Sequence, residues 1–337
     1  MPIAENIVIK QLDLELNGGC NYKCPMCPQA HGREKDFLKK LPFEVFTKIV
    51  DDALHYGLDT VSLHGSGEPT LNRDMAKYVE YVKSKNVKCI SFTNGYRLTE
   101  DLSKDLIEAG IDVLRISCIG YDRPSYAHWM SLDVFDEVRE NIKNFVEINR
   151  ALNGNSEVHI HHLITDVENK AREVDLYKQN WSNYTGARSE IWLMHNWAGS
   201  DVELGYHRET LIGSQTSPRS CGRPFSPLLQ VRAGGLDGHT AAVVACCMVL
   251  GKDSDGVLGH LDTQTIEEVI SSNAYTALRN AHTKNNFDDI SYCAGCDQLY
   301  DLPESLVWTN IDGREYGQSK IVEEMDHRNF IASSETN

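Results

Sequence analysis

The 337-residue sequence has no hydrophobic run that approaches the roughly 18 apolar residues of a membrane span. Its opening, MPIAENIVIKQLDLEL, has neither the basic segment nor the cleavage site of a secretory signal. Basic residues are in deficit, since 33 lysines and arginines face 49 aspartates and glutamates, for a net charge of −16. These absences predict a cytoplasmic protein with no membrane partner, and they argue against a nucleic acid as the main partner.

Cysteine is abundant, and ten cysteines in a cytoplasmic chain favour metal ligands or catalytic thiols over disulfides, because that compartment keeps thiols reduced. Cys20, Cys24 and Cys27 lie together in NGGCNYKCPMCPQAHG, after the first strand-like run. Structural zinc sites usually take four ligands from paired C-x2-C knuckles, so a trio leaves one coordination position open. An iron–sulfur cluster with one open iron fits three thiolates, because the open iron can bind a substrate or cofactor.

Strand-like and helix-like segments alternate through the first 200 residues. The segments with strand patterns are 6–16, 59–65, 87–93, 112–120, 157–165 and 189–196. The segments with helix patterns are 42–57, 72–85, 99–109, 133–151 and 167–180. Helical crossovers favour a parallel sheet, either an open sheet or a partial barrel. In both folds, function collects where the carboxyl ends of the strands meet, which is where the cysteine trio lies.

The motif CNYKCPMC resembles the signature loop of the radical S-adenosylmethionine (SAM) superfamily. The resemblance implies an α/β fold with a partial (β/α)6, TIM-like barrel over residues 1–200, in which Cys20, Cys24 and Cys27 hold a [4Fe–4S] cluster. It implies that the fourth iron binds SAM, and that electron transfer cleaves SAM to methionine and a 5′-deoxyadenosyl radical. A flavodoxin- or ferredoxin-type protein is the expected reductant.

The resemblance extends to the breaks after later strands. GSGEP is similar to the family's glycine-rich motif for the methionine ammonium group, which implies contacts from Gly65, Gly67 and Glu68. The family often has an aromatic residue against the adenine just before the third cysteine, where this sequence has Met26. The residues implied to line the SAM pocket near its ribose or carboxylate are Thr93, Asn94 and Ser117.

A second group of cysteines follows residue 200, where the alternation of strands and helices stops. A predicted hairpin and a helix over 265–282 lie among SCGRPF, ACCMVL and YCAGC. From spacing alone, zinc and an iron–sulfur cluster are equally acceptable. The segment resembles the SPASM and twitch extensions of radical SAM enzymes, which hold auxiliary [4Fe–4S] clusters. The count fits the shorter twitch form, with these implied ligands: Cys221, Cys246, Cys293 and Cys296.

In related domains the first cysteine of a CC pair is usually the ligand, but the spacing from Gly238 leaves Cys246 and Cys247 both open. The resulting domain organisation is a partial barrel over 1–200, a linker over 201–219, a small α+β auxiliary-cluster domain over 220–300 and a C-terminal tail over 301–337. Two [4Fe–4S] clusters and SAM are therefore the expected cofactors.

Polar residues at the rim suggest a small hydrophilic substrate, such as a sugar, aminocyclitol or nucleoside-like metabolite, with a peptide as a further option. These rim residues are His64, His161, His162, His195, Asn196, Trp197, Tyr96 and Arg123. In the run HIHH, strand alternation puts His159 and His161 on one face and His162 on the other. At most one of these two sets points into the barrel.

A fully ligated auxiliary cluster cannot bind SAM, so we expect it to accept an electron from the substrate and complete a two-electron dehydrogenation. Electron resupply and a purely structural role are alternatives. A thiol that donates hydrogen would instead make the enzyme an epimerase, with Cys118 and Cys247 as candidates, whereas Cys89 is expected in the core. A peptide-modifying maturase is a further alternative. A zinc-ribbon interaction protein is the non-enzyme alternative.

Overall fold

The computed structural model describes residues 7–32, 35–197, 217–249, 256–300 and 306–312. Strands within these ranges are β1 (Gln11–Leu14), β2 (Thr60–Leu63), β3 (Lys88–Thr93), β4 (Val113–Ser117), β5 (Glu157–Ile164), β6 (Arg188–Leu193), β7 (Leu228–Ala233), β8 (Ala241–Val244), β9 (Val257–His260) and β10 (Leu306–Thr309). They form one sheet in the order β10-β6-β5-β4-β3-β2-β1-β7-β8-β9. Strands β1 to β6 are parallel to one another, and each pairs with the next along the chain.

The connections between the parallel strands are helical. Helices within the described ranges are α1 (Phe43–Leu54), α2 (Met75–Ser84), α3 (Glu100–Glu108), α4 (Arg123–Trp129), α5 (Phe135–Ala151), α6 (Lys170–Tyr177), α7 (Asn183–Thr185), α8 (Ile266–Ile270), α9 (Asn273–Lys284) and α10 (Ser291–Ala294). A π turn over Lys178–Ser182 joins α6 to α7. Every strand and helix predicted for the first 200 residues is present, and the α/β fold is confirmed.

Helix α1 illustrates why these segments fold as they do. Pro42 precedes its first turn, and the apolar residues recur at helical spacing. As a result, Phe46, Ile49, Val50 and Ala53 are buried against the rest of the core. The same apolar cluster extends from β1 through β7–β9 to α8 and α9, so the core continues past the six parallel strands.

Two helices differ from the prediction. The helix predicted over 265–282 is divided into α8 and α9, because Ser271 ends the first helix and Ser272 caps the second by accepting a hydrogen bond from the Tyr275 N–H at 3.2 Å. Helix α4 was not predicted. Its start is fixed by a capping box in which Asp122 Oδ1 accepts from the Ser125 N–H at 2.9 Å.

The hairpin predicted after residue 220 is present as β7 and β8, which pair antiparallel. Strand β7 also pairs in parallel with β1, so the hairpin extends the main sheet. At the opposite edge, β10 pairs antiparallel with β6, although its residues were assigned to the tail over 301–337. The predicted domain boundaries remain a prediction, and most of the linker over 201–219 lies outside the described residues.

None of the helices in the described part of the chain is long and apolar enough to cross a membrane.

Candidate functional site

A cavity of about 310 Å³ lies at the carboxyl ends of the parallel strands. Its wall contains all the residues that the sequence assigned to the first cluster and to SAM: Cys20, Cys24, Cys27, Met26, Gly65, Gly67, Glu68, Thr93, Asn94 and Ser117. These residues come from the segments that follow or end β1, β2, β3 and β4. The parallel topology therefore brings four separate sequence motifs to one place, as function at the carboxyl ends of strands requires.

The three thiols of the loop after β1 interact with one another. Burial raises the pKa of Cys20 to about 11, and the neighbouring Glu68 and Cys27 also raise it. Burial likewise raises the pKa of Cys24, and the thiols of Cys27 and Cys20 add to this effect. Thiols that oppose one another's ionisation can be held together as thiolates only by a cation. This donor set fits an iron–sulfur cluster.

The glycine-rich loop after β2 packs directly on the cysteine loop. A Cβ atom added at Gly67 would lie 1.9 Å from the backbone oxygen of Asn17, and one added at Gly65 would lie 2.5 Å from the side chain of Glu15. Only glycine permits this approach of the two loops. The Glu68 N–H also donates to the Gly19 carbonyl at 2.8 Å, which fixes the loops in register.

Glu15 was not identified from the sequence, yet it organises this loop. Its buried carboxylate accepts hydrogen bonds from the N–H groups of Ser66 at 2.6 Å and Gly67 at 3.0 Å, and its second oxygen accepts from the Ala233 N–H at 2.9 Å. The side chain thus joins the loop after β2 to the end of β7. Its only sequence signal is the strand run LDLEL, in which two carboxylates alternate with leucines.

Glu68 lines the cavity, but its carboxylate is already engaged by the protein. One oxygen accepts from the Thr70 N–H, the Thr70 hydroxyl and the Thr93 hydroxyl at 3.1, 2.7 and 2.6 Å, and the other accepts from the Asn94 N–H at 2.8 Å. Burial raises the pKa of Glu68, whereas these hydrogen bonds lower it. A carboxylate offers about four acceptor positions, so Glu68 has a positioning role between β2 and β3. Its contact with the methionine ammonium group stays a prediction.

Three of the rim histidines, His64, His161 and His195, line the cavity. Burial lowers the pKa of both His161 and His195 to about 4, so each is neutral near pH 7. His162 lies on the other face of β5, where it contacts Glu173 at 2.8 Å and stacks on Tyr177. The predicted alternation of HIHH is therefore confirmed.

The remaining rim residues are divided between the cavity and its surroundings. Trp197 lines the cavity, and Asn196 connects β6 to the last cysteine segment by accepting from the Asp297 N–H at 3.1 Å. Arg123 is exposed and paired with Asp133 at 2.8 Å. Arg123, Tyr96 and Asn196 are not part of the described cavity wall.

The four cysteines assigned to the auxiliary cluster face one another. Burial raises the pKa of Cys293, and the next causes are the thiols of Cys246 and Cys221. The pKa of Cys296 is also raised, most strongly by burial and then by the charges of Asp297, Cys246 and Cys221. Two of the four, Cys221 and Cys296, pack with Phe287 and Leu299 in a small apolar cluster. This second set of mutually opposed thiols fits a cluster as the first set does.

The two adjacent cysteines of the CC pair have different surroundings, although the Cys247 thiol also raises the pKa of Cys246 and Cys221. The Cys246 thiol raises the pKa of Cys293 and Cys296, and burial raises the pKa of Cys246 itself to about 12. Cys247 lines the cavity at the carboxyl ends of the parallel strands, and its Sγ accepts a hydrogen bond from Arg223 Nη1 at 3.3 Å. One peptide bond therefore separates the auxiliary thiol group from the cavity.

Cys118 and Cys89 are both fully buried in the main core. Burial raises the pKa of the Cys118 thiol well above its ordinary value, and Cys118 is not among the described residues that line the cavity. Ser117, its neighbour in the chain, does line the cavity, as alternation at a strand end predicts. This position gives no support to Cys118 as a hydrogen donor. Cys89 is a core residue, as expected.

Among the described residues, no three His, Cys, Asp or Glu side chains converge closely enough to hold a single metal ion. A structural zinc site needs four donors around one ion, at about 2.3 Å for sulfur. A four-iron cluster instead places each thiolate on a different iron, so its ligands are farther apart.

The thiol loop after the first parallel strand and the glycine-rich loop that packs on it define a class of enzymes that bind SAM beside an iron–sulfur cluster. Residues 14–173 match the Radical SAM superfamily, and residues 238–297 match SPASM, an iron–sulfur cluster-binding domain. The chain belongs to the radical SAM superfamily and has a C-terminal SPASM domain. Its cofactors are SAM and two iron–sulfur clusters, and the zinc-ribbon alternative is wrong.

Curated relatives include two proteins described as probable GTP 3′,8-cyclases. The protein from Saccharolobus solfataricus is 32% identical over 142 residues, and the one from Methanococcus maripaludis is 28% identical over 140 residues. Each match covers 42% of this chain and 44% or 46% of the relative. The chain thus spans less than half the length of these relatives.

Solved structures show the same fold at low sequence identity. BtrN in complex with AdoMet and 2-DOIA has a TM-score of 0.57 and 17% identity, with 89% of this chain and 99% of that chain covered. Native anSMEcpe with bound AdoMet has a TM-score of 0.55 and 16% identity, with 98% and 100% covered. Streptococcus suis SuiB has a TM-score of 0.60 and 15% identity, with 81% and 68% covered.

Proposed function

We propose that this radical SAM enzyme abstracts a hydrogen atom from a C–H bond of a small polar substrate and completes a two-electron dehydrogenation. The proposal rests on the position of the CC pair, because Cys247 lines the cavity that holds the predicted SAM residues while Cys246 belongs to the auxiliary thiol group. A substrate in this cavity lies next to a second redox centre, which suits the transfer of an electron out of the substrate. When bound, the first cluster supplies the electron for reductive cleavage of SAM.

We assign the ligands of the two clusters to the two thiol groups. Cys20, Cys24 and Cys27 hold the cluster that binds SAM, and their shared loop and mutual effect on ionisation support this assignment. For the auxiliary cluster, the same argument supports this set: Cys221, Cys246, Cys293 and Cys296. We choose Cys246 over Cys247 because Cys246 raises the pKa of both Cys293 and Cys296, whereas Cys247 raises the pKa of Cys221 and Cys246.

Residues of the cavity wall determine the shape of the SAM pocket and provide its apolar and polar surfaces. Gly65 and Gly67 allow the loop after β2 to pack on the segment that carries the cysteines, and Glu15 holds this loop in place. Met26 is buried in the wall beside the trio and supplies an apolar surface for the adenine. Polar contacts for the rest of SAM come from Thr93, Asn94 and Ser117.

An epimerase is a second candidate, because the Cys247 thiol is part of the cavity wall. A thiol there can donate a hydrogen atom to a substrate radical, which returns the substrate to its original oxidation state with one centre inverted. Arg223 Nη1 contacts this sulfur at 3.3 Å and fixes the direction of the side chain. The two candidates differ in one product, since only the epimerase places solvent-derived hydrogen on carbon.

The substrate class rests on the cavity and on the relatives. Three neutral or weakly basic histidines and a tryptophan suit a hydroxyl-bearing metabolite such as a sugar, aminocyclitol or nucleoside. The probable GTP 3′,8-cyclases support the nucleoside option over the matched part of the chain. A peptide substrate is the further option. We also propose a cytoplasmic location and a flavodoxin- or ferredoxin-type reductant.

The test is anaerobic turnover of the reconstituted enzyme with candidate substrates that carry deuterium at single carbons. Transfer of deuterium into 5′-deoxyadenosine identifies the substrate and the carbon. A product two hydrogens poorer than the substrate, without solvent deuterium, supports dehydrogenation, whereas solvent deuterium on carbon supports the epimerase. A reconstituted protein that never forms 5′-deoxyadenosine when supplied with electrons would refute both.

A further inference from the structure

Arg232, on β7, is a buried cation that neither the cluster sites nor the SAM pocket explains. Its side chain lines the same cavity, yet the residue is only 1% exposed. The guanidinium Nε donates to the Val249 carbonyl at 3.2 Å, and Nη2 donates to the Cys247 carbonyl at 2.9 Å. Nη1 is buried and has no hydrogen-bond partner.

Within the described part of the chain, no carboxylate forms a direct ion pair with Arg232, whose hydrogen bonds go to carbonyl oxygens. Its two partners are neutral carbonyls, which satisfy donors but do not neutralise a cation. The two carboxylates on the adjoining segment of β1 direct their oxygens to other groups, Asp13 to Gln230 and Glu15 to backbone N–H groups of the loop after β2, so neither fills the position next to Nη1. A buried, unpaired guanidinium is costly, so a site of this kind is expected to receive an anion.

The direction of the guanidinium is also fixed. Two carbonyls on the segment after β8 accept hydrogen bonds from Nε and Nη2 and so hold one edge of the guanidinium. The third nitrogen, Nη1, makes no such bond, and the side chain that carries it lines the cavity. A planar guanidinium with one edge anchored is preorganised to bind a carboxylate or phosphate oxygen. Among the other charged groups of the wall, Glu68 is already engaged by Thr70, Thr93 and Asn94.

We propose that Arg232 binds an anionic group of the substrate, a carboxylate or a phosphate, at the side of the cavity formed by β7. The inference rests on the proposed function in that it takes this cavity as the substrate site. The same wall contains His64 and the Cys247 thiol, so the anion would fix the substrate beside the CC pair. The substrate is thus an acid or a phosphate ester rather than a neutral sugar.

SAM also has a carboxylate, and it is the competing source of the anion. Binding measurements on the reconstituted, two-cluster protein can separate the two sources without turnover. In the first arm, SAM affinity is compared between the wild-type protein and Arg232→Gln. In the second, inorganic phosphate is titrated by anaerobic calorimetry into each protein saturated with SAM.

We expect SAM affinity to be unchanged in Arg232→Gln and phosphate affinity to fall at least about tenfold, the effect of losing a charge-assisted hydrogen bond. Arg232→Lys keeps the charge without the planar fork, and it should weaken phosphate binding several-fold. The matched control is Arg150→Gln on the exposed end of α5, which removes the same charge away from the cavity and should bind phosphate like the wild type.

Equal phosphate binding by the wild type, Arg232→Gln and Arg232→Lys overturns the proposal, as does an absence of phosphate binding to the wild type. Loss of SAM affinity in Arg232→Gln also overturns it, because the anion would then be the carboxylate of SAM. If Arg232→Gln does not fold, Arg232→Lys decides by the same comparison. Formation of 5′-deoxyadenosine in the same wild-type preparation reports on the proposed function separately, so a failure of either idea is recognisable.

Discussion

The carboxylate of Glu15, just beyond the end of β1, accepts a hydrogen bond from the backbone N–H of Gly67 at 3.0 Å. This contact crosses from the cysteine-bearing segment to the glycine-rich loop after β2. It explains how two motifs separated by about fifty residues in sequence form one wall of the cavity.

Gly67→Ala tests this packing. Its Cβ would lie 1.9 Å from the Asn17 carbonyl oxygen, so the two loops must separate. We expect a loss of about 1–3 kcal/mol in the free energy of unfolding, typical of overpacking, and a larger loss in SAM affinity. Denaturant unfolding and anaerobic calorimetry measure the two effects. Gly19→Ala is the matched control for stability, since its Cβ meets only Asn17 Nδ2 at 3.6 Å; equal effects of both variants would contradict the steric account.

The CC pair is tested by single substitutions. Cys246→Ala should reduce iron from about eight to about four atoms per chain, because each [4Fe–4S] cluster holds four irons. Cys247→Ala should retain both clusters. Iron analysis and electron paramagnetic resonance of the reduced proteins provide the measurements. The assignment of Cys246 fails if the two variants exchange these results.

The two candidate hydrogen donors give opposite expectations. Cys118→Ala should cost on the order of 1 kcal/mol of stability by leaving a small cavity in the core, with no change in the product. If the enzyme is an epimerase, Cys247→Ala should abolish solvent deuterium in the product while substrate deuterium still enters 5′-deoxyadenosine. Mass spectrometry of both compounds measures this. Loss of solvent deuterium in Cys118→Ala alone would show that the thiol in the core is the donor.

Glu68→Gln tests the positioning role of this residue. The amide can accept on one side only, so at least one of the donors from Thr70, Thr93 and Asn94 would meet an N–H group. We expect a loss of about 1–3 kcal/mol in unfolding free energy, the cost of an unsatisfied buried group, together with weaker SAM binding. A variant with wild-type stability and reduced SAM affinity would instead favour a direct ligand contact.

Stability should fall with acid because of the cavity histidines. Burial lowers the pKa of His161 to about 4 from an ordinary 6.5, so between these values the unfolded chain binds a proton that the folded protein does not. The contribution of His161 to the free energy of unfolding therefore has its full value above about pH 6.5 and decreases as the pH falls toward 4. His161→Gln should flatten this dependence in denaturant titrations, and His55→Gln, at an exposed site, should leave it unchanged. An unaltered slope in His161→Gln would contradict the neutral state of this histidine in the folded protein.

Much of the site was predictable because it is encoded in local motifs. The spacing of Cys20, Cys24 and Cys27 and the glycines of GSGEP are fixed by what their chemistry and close packing require. The alternation of strands and helices then places such motifs at one rim, whatever the details of packing. Helix α4 could also have been found, because Asp122 and Ser125 form a recognisable capping box.

The sequence by itself determined the superfamily, the parallel α/β order of the first 200 residues and the thiols available to two clusters. Only the tertiary structure decided which side of the CC pair faces the cavity, and that Cys118 points into the core. It also decided the roles of Glu15 and Arg232 and the union of β7 with β1. The reason is physical: local spacing governs strands, helices and caps, whereas the direction of a side chain at the end of a strand depends on how that strand pairs and packs with distant segments, which for β1 and β7 are more than two hundred positions apart.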